Sequence, residues 1–231
     1  MDTARRASDE TVSFPQQAYE YVRDRIVNLR FKPGEYITDT QIANELNISR
    51  TPVREAFTRL QNEGLLVNEA RRGWRVYTLT IADIHELFDI KEVVEGMIAR
   101  KAAACADERL RDAFQAALER MSQAAEAGDS AAWLQADIAL HNVLFDMANN
   151  ERARRLVMNL NDQWHRVRIG FVAMQGRTRR STQEHFDFAD AILAGDGEEA
   201  EKRMRRHLNN VREELVRLLI NVVLPFVQEG V

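Results

Sequence analysis

The stretch from Gly34 to Gly64 constrains the fold more than any other part of the chain, because it has the pattern of two short helices joined by a tight turn. Thr38 and Gln41 have the spacing of a capping box, and apolar residues at helical spacing predict a first helix over 39–46. Ser49 is a suitable N-cap for the second helix, and the closing glycine of the stretch is a suitable C-cap. The pattern predicts a helix-turn-helix.

The second of these helices is expected to carry its arginines on the exposed side. Its apolar residues recur at helical spacing and can pack inward. The polar side is then formed by Arg50, Thr51, Arg54 and Arg59. Arginines near the start of an exposed helix suit phosphates and guanine edges in a DNA major groove. The alternative is an ordinary solvated face, since exposed charges often serve only solubility.

A predicted hairpin follows the second helix. Two short apolar runs of strand character, 65–67 and 74–77, are separated by a segment with two arginines and a glycine. A hairpin beside a DNA-reading helix is the wing of a winged helix, and its tip places Arg72 and Gly73 where they can approach a neighbouring groove or phosphates. The two helices and the hairpin together predict a DNA-binding domain.

Residues 15–78 resemble the DNA-binding domain of the GntR family of bacterial transcription regulators. The run SRTPVREA, residues 49–56, is the most specific part of the match. Other matching residues are Pro33, Gly34, Glu63, Gly64, Leu65, Gly73 and Val76. The resemblance implies that Arg50, Thr51 and Arg54 contact bases or phosphates, and that Gly73 and the arginines beside it reach DNA from the wing.

The charge distribution agrees with a local DNA contact. The formal net charge of the 231 residues is −4. Residues 1–80 contain 12 Lys and Arg against 11 Asp and Glu, a net charge of +1, and the remainder contains 20 against 25, a net charge of −5. DNA affinity must therefore come from clustered arginines, with a finite dependence on salt and modest non-specific binding.

Cysteine content and hydropathy predict the compartment. The single cysteine, Cys105, cannot form an internal disulfide, and we interpret it as a small buried apolar side chain. The N-terminus lacks the apolar run of a signal peptide, and no segment has the length needed to span a bilayer. We therefore expect a cytoplasmic protein without a membrane partner.

The second part of the chain is expected to be helical throughout. Helical segments are predicted at 83–105, 107–127, 130–148, 151–175, 178–194 and 197–221. Six helices of this length imply an antiparallel all-α bundle. The expected fold class is mainly α, a winged helix-turn-helix followed by this bundle. The expected domain layout is a flexible N-terminus at 1–12, the DNA-binding domain at 13–78, a linker at 79–82 and the helical domain at 83–231.

Four polar side chains are expected inside the bundle. Asp137 and His141 lie four residues apart and project from the same apolar helical face, and His185 and His207 lie on the apolar faces of two other helices. Each could be a hydrogen-bonded core residue. Convergence of three imidazoles and a carboxylate would instead suit a divalent metal, zinc first, with nickel, manganese or iron as alternatives.

Residues 83–221 resemble the FCD effector domain that defines the FadR subfamily of GntR regulators. In metal-containing members an aspartate and three histidines bind the ion, and the resemblance assigns these roles to Asp137, His141, His185 and His207. Lys91 stands where the family usually has an arginine. Lys91 is therefore a candidate effector-binding residue, with a solvated surface lysine as the alternative.

The sequence as a whole predicts a ligand-responsive, DNA-binding transcription regulator that acts as a homodimer on a palindromic operator. The family resemblance implies that it is a repressor. The expected effector is a small carboxylate, hydroxy acid or sugar acid. One alternative is a purely structural ion in a domain that serves only dimerisation. Another is a metal-dependent enzyme, but no catalytic residues are assigned, because no recognisable general base stands beside the expected ligands.

Overall fold

The computed structural model describes residues 13–172 and 176–220, without the side chains of 165–172 and Leu218. The expected flexible N-terminus, 1–12, lies outside the described residues, as do residues 173–175 and 221–231, which include the ends of two predicted helices. The chain divides into two compact units, one ending at Thr78 and the other beginning at Leu79.

From residue 13 onward, the first unit contains three helices and a small antiparallel sheet. Its elements are α1 (Phe14–Val27), β1 (Tyr36–Ile37), α2 (Asp39–Leu46), α3 (Arg50–Asn62), β2 (Leu66–Glu69) and β3 (Gly73–Val76). The strand order is β1-β3-β2. The sequence analysis did not predict β1, because a two-residue strand has no periodicity of its own and exists only by pairing Tyr36 with Arg75 and Ile37 with Trp74.

The ends of α2 and α3 agree with the sequence pattern in position and differ from it in hydrogen bonding. The Thr38 side chain accepts a bond from the Gln41 backbone N–H at 3.1 Å. The Gln41 side chain instead donates to Glu45, so the described structure has only half of the predicted capping box. Ser49 occupies the N-cap position of α3, but the predicted side-chain cap is wrong: its hydroxyl makes no capping bond.

The core of the first unit sets the position of α3. Residues from every helix and from the sheet are fully buried, namely Ala18, Val22, Ile26, Ile37, Ile42, Val53, Phe57, Leu60, Leu65 and Val76. Phe57 contacts Trp74 of β3 edge-on, with ring centroids 5.3 Å apart. The inward face of α3 is therefore fixed against the hairpin, and its arginines face outward.

The described part of the second unit consists of helices joined by short connections, without a strand. It contains α4 (Ile81–Ala102), α5 (Glu108–Ala127), α6 (Ser130–Ala148), α7 (Glu151–Val172), α8 (Arg177–Leu193) and α9 (Gly197–Leu218). Each predicted helical segment overlaps one of these helices, which confirms the mainly α fold class. The helix α4 begins inside the expected linker 79–82, because Thr80 and Asp83 form a complete reciprocal capping box.

The core of the second unit contains polar and charged side chains. Most of it is apolar, with Phe88, Phe114, Leu140, Leu144 and Phe188 among its most buried members. Among the described residues, the buried polar and charged side chains all belong to this unit: Lys91, Glu95, Asp137, Arg177, Ser181, Thr182, His185 and His207. Buried charges need partners.

Among the described helices, none combines the length and apolarity that crossing a bilayer requires.

Candidate nucleic-acid interface and metal centre

The outward face of α3 presents two arginines in the first two turns of the helix, Arg50 and Arg54. The side chains of Arg50 and Arg54 are 54% and 61% exposed, and Thr51 between them is also exposed. A groove runs between this face and the wing, lined by Thr38, Asp39, Arg50, Arg54, Thr58, Asn68, Gly73 and Trp74. Two arginines one turn apart beside such a groove can donate to phosphates or to base edges.

A single carboxylate links these arginines to α2. Asp39 accepts from Nη2 of Arg50 at 3.0 Å and from Nε of Arg54 at 2.5 Å. Burial of Asp39 tends to raise its pKa, but the hydrogen bonds from the two guanidinium groups outweigh that effect and hold the pKa below its ordinary value. Asp39 is therefore ionised at neutral pH. The sequence analysis assigned it no role, although it begins the helix that precedes the arginines.

Arg59 lies on a different side of α3. It follows Arg50 by nine residues, which is half a turn away in direction on an α-helix. Its Nε lies 3.1 Å from Glu63, its Nη1 donates to Gln16 of α1 at 3.0 Å, and its guanidinium stacks on the Tyr19 ring at 3.6 Å. The structure therefore does not bring Arg59 together with Arg50 and Arg54.

The wing has an arginine-bearing turn with a glycine after it. Arg71 and Gly73 both have positive φ, 71° and 93°, and the second of these favours glycine. Arg72 is exposed, and a hydrogen bond with the Tyr36 hydroxyl raises the pKa of its guanidinium. Arg75 Nε lies 2.5 Å from Glu69 across the hairpin. Arg72 thus belongs to the exposed turn, while Arg75 is paired within the sheet.

Three of the four predicted metal ligands come together in the second unit. Asp137 and His141 of α6 and His185 of α8 offer ligand atoms that all lie within 4.8 Å of one another. His185 Nε2 is 3.0 Å from Asp137 Oδ1, and His141 Nε2 is 3.9 Å from the same oxygen. Donor atoms around one ion with bonds of about 2.1 Å lie at most about 4.2 Å apart, so small shifts would complete a site.

The fourth predicted ligand, His207 of α9, lies beside this group. Its ring centroid is 4.5 Å from that of His185. Its Nδ1 lies 2.7 Å from Glu184 Oε2, and Glu184 also accepts from Asn210 at 3.0 Å. A neutral ring that donates Nδ1–H to a carboxylate keeps its lone pair on Nε2, which is how many metal-binding histidines are oriented.

The electrostatics of the site favour metal ligation. Burial lowers the pKa of His141 to about 4, and it also lowers the pKa of His207 well below its ordinary value. Both imidazoles are therefore neutral at pH 7 and keep a lone pair for an ion. Nitrogen donors with one carboxylate oxygen are a donor set that first-row divalent metals accept. The residues present fit the metal that the sequence predicted.

Lys91 is buried, so the alternative of a solvated surface lysine is wrong. The residue is 2% exposed, and its Nζ lies 2.5 Å from Glu95 Oε1 and 2.5 Å from Asn161 Oδ1. Glu95 Oε2 is 3.6 Å from His141 Nδ1. Glu95, which lies four residues after Lys91, was given no role from the sequence. Glu95 connects the buried ammonium group to the candidate metal centre.

Comparisons with known proteins agree with the architecture of both units. Residues 14–76 match the model described as bacterial regulatory proteins, gntR family, and residues 86–210 match the FCD domain. The chain is 28% identical over 212 residues to the HTH-type transcriptional regulator YdhC of Bacillus subtilis (strain 168), covering 91% of this chain and 95% of that protein. It is 27% identical over 200 residues to the HTH-type transcriptional repressor RspR of Escherichia coli (strain K12), covering 87% and 88%.

A solved structure supports the same conclusion at the level of the fold. E. coli McbR/YncC superposes with a TM-score of 0.74, covering 90% of this chain and 99% of that chain at 19% identity. The relatives named above are transcription regulators and not enzymes. The two matched models together span both units, and the FCD match alone covers more than half of the 231 residues. The chain therefore belongs to the GntR family of bacterial DNA-binding transcription regulators, with an FCD domain as its second unit.

Proposed function

We propose that this regulator is a repressor whose operator affinity is controlled by a small organic acid bound at a metal ion in the FCD domain. The observation that carries the proposal is the compact group of Asp137, His141 and His185 in the interior of that domain. Its relative RspR is a repressor, which supports the sign of regulation. The action takes place in the bacterial cytoplasm, where the DNA is.

Asp137, His141 and His185 would hold the ion, zinc first, with nickel, manganese and iron as alternatives, and His207 would complete the set. A bound ion with open positions supplies a Lewis acid for the carboxylate or hydroxyl oxygens of a hydroxy acid or sugar acid. Lys91 lies in the same core, where its ammonium group is paired with Glu95, so the ion supplies the positive charge that would attract an acid. The site would therefore select a small anion.

The DNA half of the proposal assigns direct contacts to Arg50, Thr51 and Arg54 on α3 and to Arg72 and Gly73 on the wing. Exposure of both arginines on α3, beside a groove shared with the wing, supports this assignment. The remaining predicted contact, Arg59, is directed toward α1 and suits a flanking phosphate. The working form is a homodimer on a palindromic operator, because a two-fold protein presents the same surface to each half-site.

Control of DNA binding requires two arrangements of the protein with different effector affinity. A ligand shifts such an equilibrium only by its difference in affinity for the two states. Coupling of about 1–3 kcal/mol, typical of allosteric proteins, changes operator affinity by about 5-fold to 150-fold. An effector that contacts both the ion and Lys91 would favour the arrangement in which the two can be reached together.

Burial favours a second candidate function, in which the ion only stabilises the FCD domain and the domain serves dimerisation. The side chains of Asp137 and His185 are 4% and 1% exposed, as expected for a structural ion. His141 is 16% exposed, which makes it the most accessible of the three side chains. The two functions differ in whether an acid adds stability once the metal is bound.

The test is a melting-shift screen of small carboxylic, hydroxy and sugar acids on chelator-stripped, zinc-loaded full-length protein, combined with a DNA-binding titration. A ligand at one hundred times its Kd adds about 2.7 kcal/mol, a shift of several degrees. We expect at least one acid to raise the melting temperature at fixed zinc and to weaken DNA binding. His185→Ala should remove the zinc-dependent and acid-dependent shifts but retain DNA binding.

The matched control is His85→Ala, since His85 is an exposed histidine of α4 outside the group. This variant should retain both shifts. A zinc-dependent shift without any acid-dependent shift would favour the purely structural ion. An acid response that persists in His185→Ala would remove the metal group from the sensing role.

A further inference from the structure

We propose that Asp39 is a specificity-determining positioning residue, which holds Arg50 and Arg54 as one preorganised unit for reading DNA bases. The proposal rests on the DNA half of the proposed function, in which these arginines contact the operator. Asp39 itself is an anion and would repel the phosphates of DNA. Its presence beneath two DNA-facing arginines therefore calls for a role other than direct affinity.

The geometry separates the carboxylate from the surface that would meet DNA. The Asp39 side chain is 12% exposed, while the side chains of Arg50 and Arg54 are 54% and 61% exposed. Asp39 is thus placed below the arginines in the groove and not beside them on the rim. A DNA duplex that contacts the guanidinium groups would be screened from the carboxylate by the arginines themselves.

The hydrogen bonds leave the outer donors of the arginines available. Within the described chain, both carboxylate oxygens of Asp39 accept hydrogen bonds from Nη2 of Arg50. One of these oxygens, Oδ2, also accepts from Nε of Arg54. The two terminal amino groups of Arg54 remain outside this contact, and so does Nη1 of Arg50. A guanidinium held by one edge presents its other donors in a fixed plane, and this planar fork is what recognises guanine O6 and N7.

Asp39 is itself held firmly. It is the first residue of α2, directly after the Thr38 cap, and its carboxylate also accepts from the Thr40 hydroxyl at 3.3 Å. A carboxylate in the first turn of a helix is stabilised by the helix dipole. The bonds from α3 to Asp39 therefore fix the arginines to α2, which is packed in the core of the unit through Ile42 and Ala43.

Two physical consequences follow for DNA binding. First, the carboxylate cancels one of the two positive charges, which lowers attraction to any phosphate backbone and so reduces non-specific affinity. Second, arginine side chains carry about 2 kcal/mol of rotamer entropy, and ordering them before binding lowers the cost of a base contact that needs a defined plane. Both effects raise the ratio of specific to non-specific affinity.

The experiment compares Asp39→Asn with Glu45→Gln in the full-length protein. Each variant removes one negative charge from α2, but Glu45 contacts Tyr21 and Gln41 and does not contact the arginines. The specific probe is a duplex selected from a random library by the wild-type protein, and the non-specific probe is a random-sequence duplex of equal length. Dissociation constants are measured for both probes over a series of salt concentrations.

For Asp39→Asn we expect non-specific affinity to rise, its salt dependence to steepen by about one released counterion, and the specificity ratio to fall about tenfold. Glu45→Gln should change the ratio by less than about twofold. Asp39→Glu, which keeps the charge, should recover part of the ratio. A purely structural role would instead lower both affinities together and would lower the melting temperature.

Several results would overturn the proposal. An unchanged ratio in Asp39→Asn would do so, as would a rise in affinity for the selected probe that exceeds the rise for the random-sequence probe. Arg54→Ala separates this failure from failure of the proposed function. If Arg54→Ala abolishes selective binding while Asp39→Asn leaves the ratio unchanged, only the role of Asp39 is wrong; if Arg54→Ala has no effect, the assigned DNA contact is wrong.

Discussion

Replacement of Lys91 by methionine should destabilise the FCD domain far more than loss of a surface ion pair. The side chains of Lys91 and Glu95 are 3% and 2% exposed, and their charged atoms are 2.5 Å apart. Exposed ion pairs contribute about 0–1 kcal/mol, whereas removal of one partner of a buried pair costs about 3–5 kcal/mol, since the other charge is left without compensation. Because both side chains are buried, we expect Lys91→Met to have the larger cost of breaking a buried pair.

The other contacts of Lys91 add less to this cost. Methionine is similar to lysine in length, so the substitution leaves little empty volume. Asn161 would lose the lysine donor but would still accept from the Trp164 indole N–H at 3.2 Å. We therefore expect the total loss to stay within about 3–5 kcal/mol, or roughly 10 °C in melting temperature for a domain of this size.

The double variant distinguishes charge burial from packing. In Lys91→Met with Glu95→Met both charges are replaced by apolar groups, which is often close to neutral for stability. The double variant should be more stable than Lys91→Met alone by at least about 2 kcal/mol. Nearly additive losses would show that packing, and not an unpaired charge, dominates the cost.

Denaturant unfolding followed by tryptophan fluorescence measures these values. Trp74 lies in the first unit, whereas Trp133 and Trp164 lie in the second, so a Trp74→Phe background makes the signal report on the FCD domain. All samples contain chelator and the same protein concentration, because metal binding and association both shift apparent stability. A loss below about 1 kcal/mol in Lys91→Met would refute the reasoning.

Two further expectations concern the first unit. Arg54→Ala should remove about 1–3 kcal/mol of discrimination between the selected duplex and random DNA. The Arg59 side chain faces α1, so Arg59→Ala should weaken binding to all sequences about equally in the same titration. Burial, and after it the hydrogen bond to Glu63, raises the pKa of Tyr19 to about 12. The folded state therefore favours the neutral phenol, and this stabilisation is lost as the pH rises from about 10 through about 12. Ultraviolet titration should show that Tyr19→Phe removes one late-ionising phenol; an unchanged titration above pH 11 would contradict this assignment.

Local patterns in the sequence were sufficient for the helices and for the broad class of the protein. The bounds of α2 and α6 agree with the predicted 39–46 and 130–148, because helical periodicity and capping residues act within a few positions. The family comparison confirms the predicted GntR and FCD resemblances. The predicted roles of individual DNA-contacting and metal-ligating residues stay predictions.

Local sequence patterns could not predict contacts between distant segments of the chain. The strand β1 exists only through pairing with β3, and Ser49 has a suitable side chain that the folded chain does not use as a cap. Arg59 belongs to the same helix as Arg54, yet it is directed to Tyr19 of α1. Nothing within a few residues of Arg59 specifies that partner.

The sequence by itself determined where helices form, that two units follow one another, and which residue types are available for DNA and for a metal. Tertiary structure decided which of these residues meet: Asp137, His141 and His185 in one group, Lys91 buried against Glu95, and Asp39 beneath two arginines. Helix formation depends on neighbours three or four positions apart, whereas the environment of a charged side chain depends on groups brought together from distant parts of the chain. Burial then sets the strength of each charge interaction, and burial is a property of the whole fold.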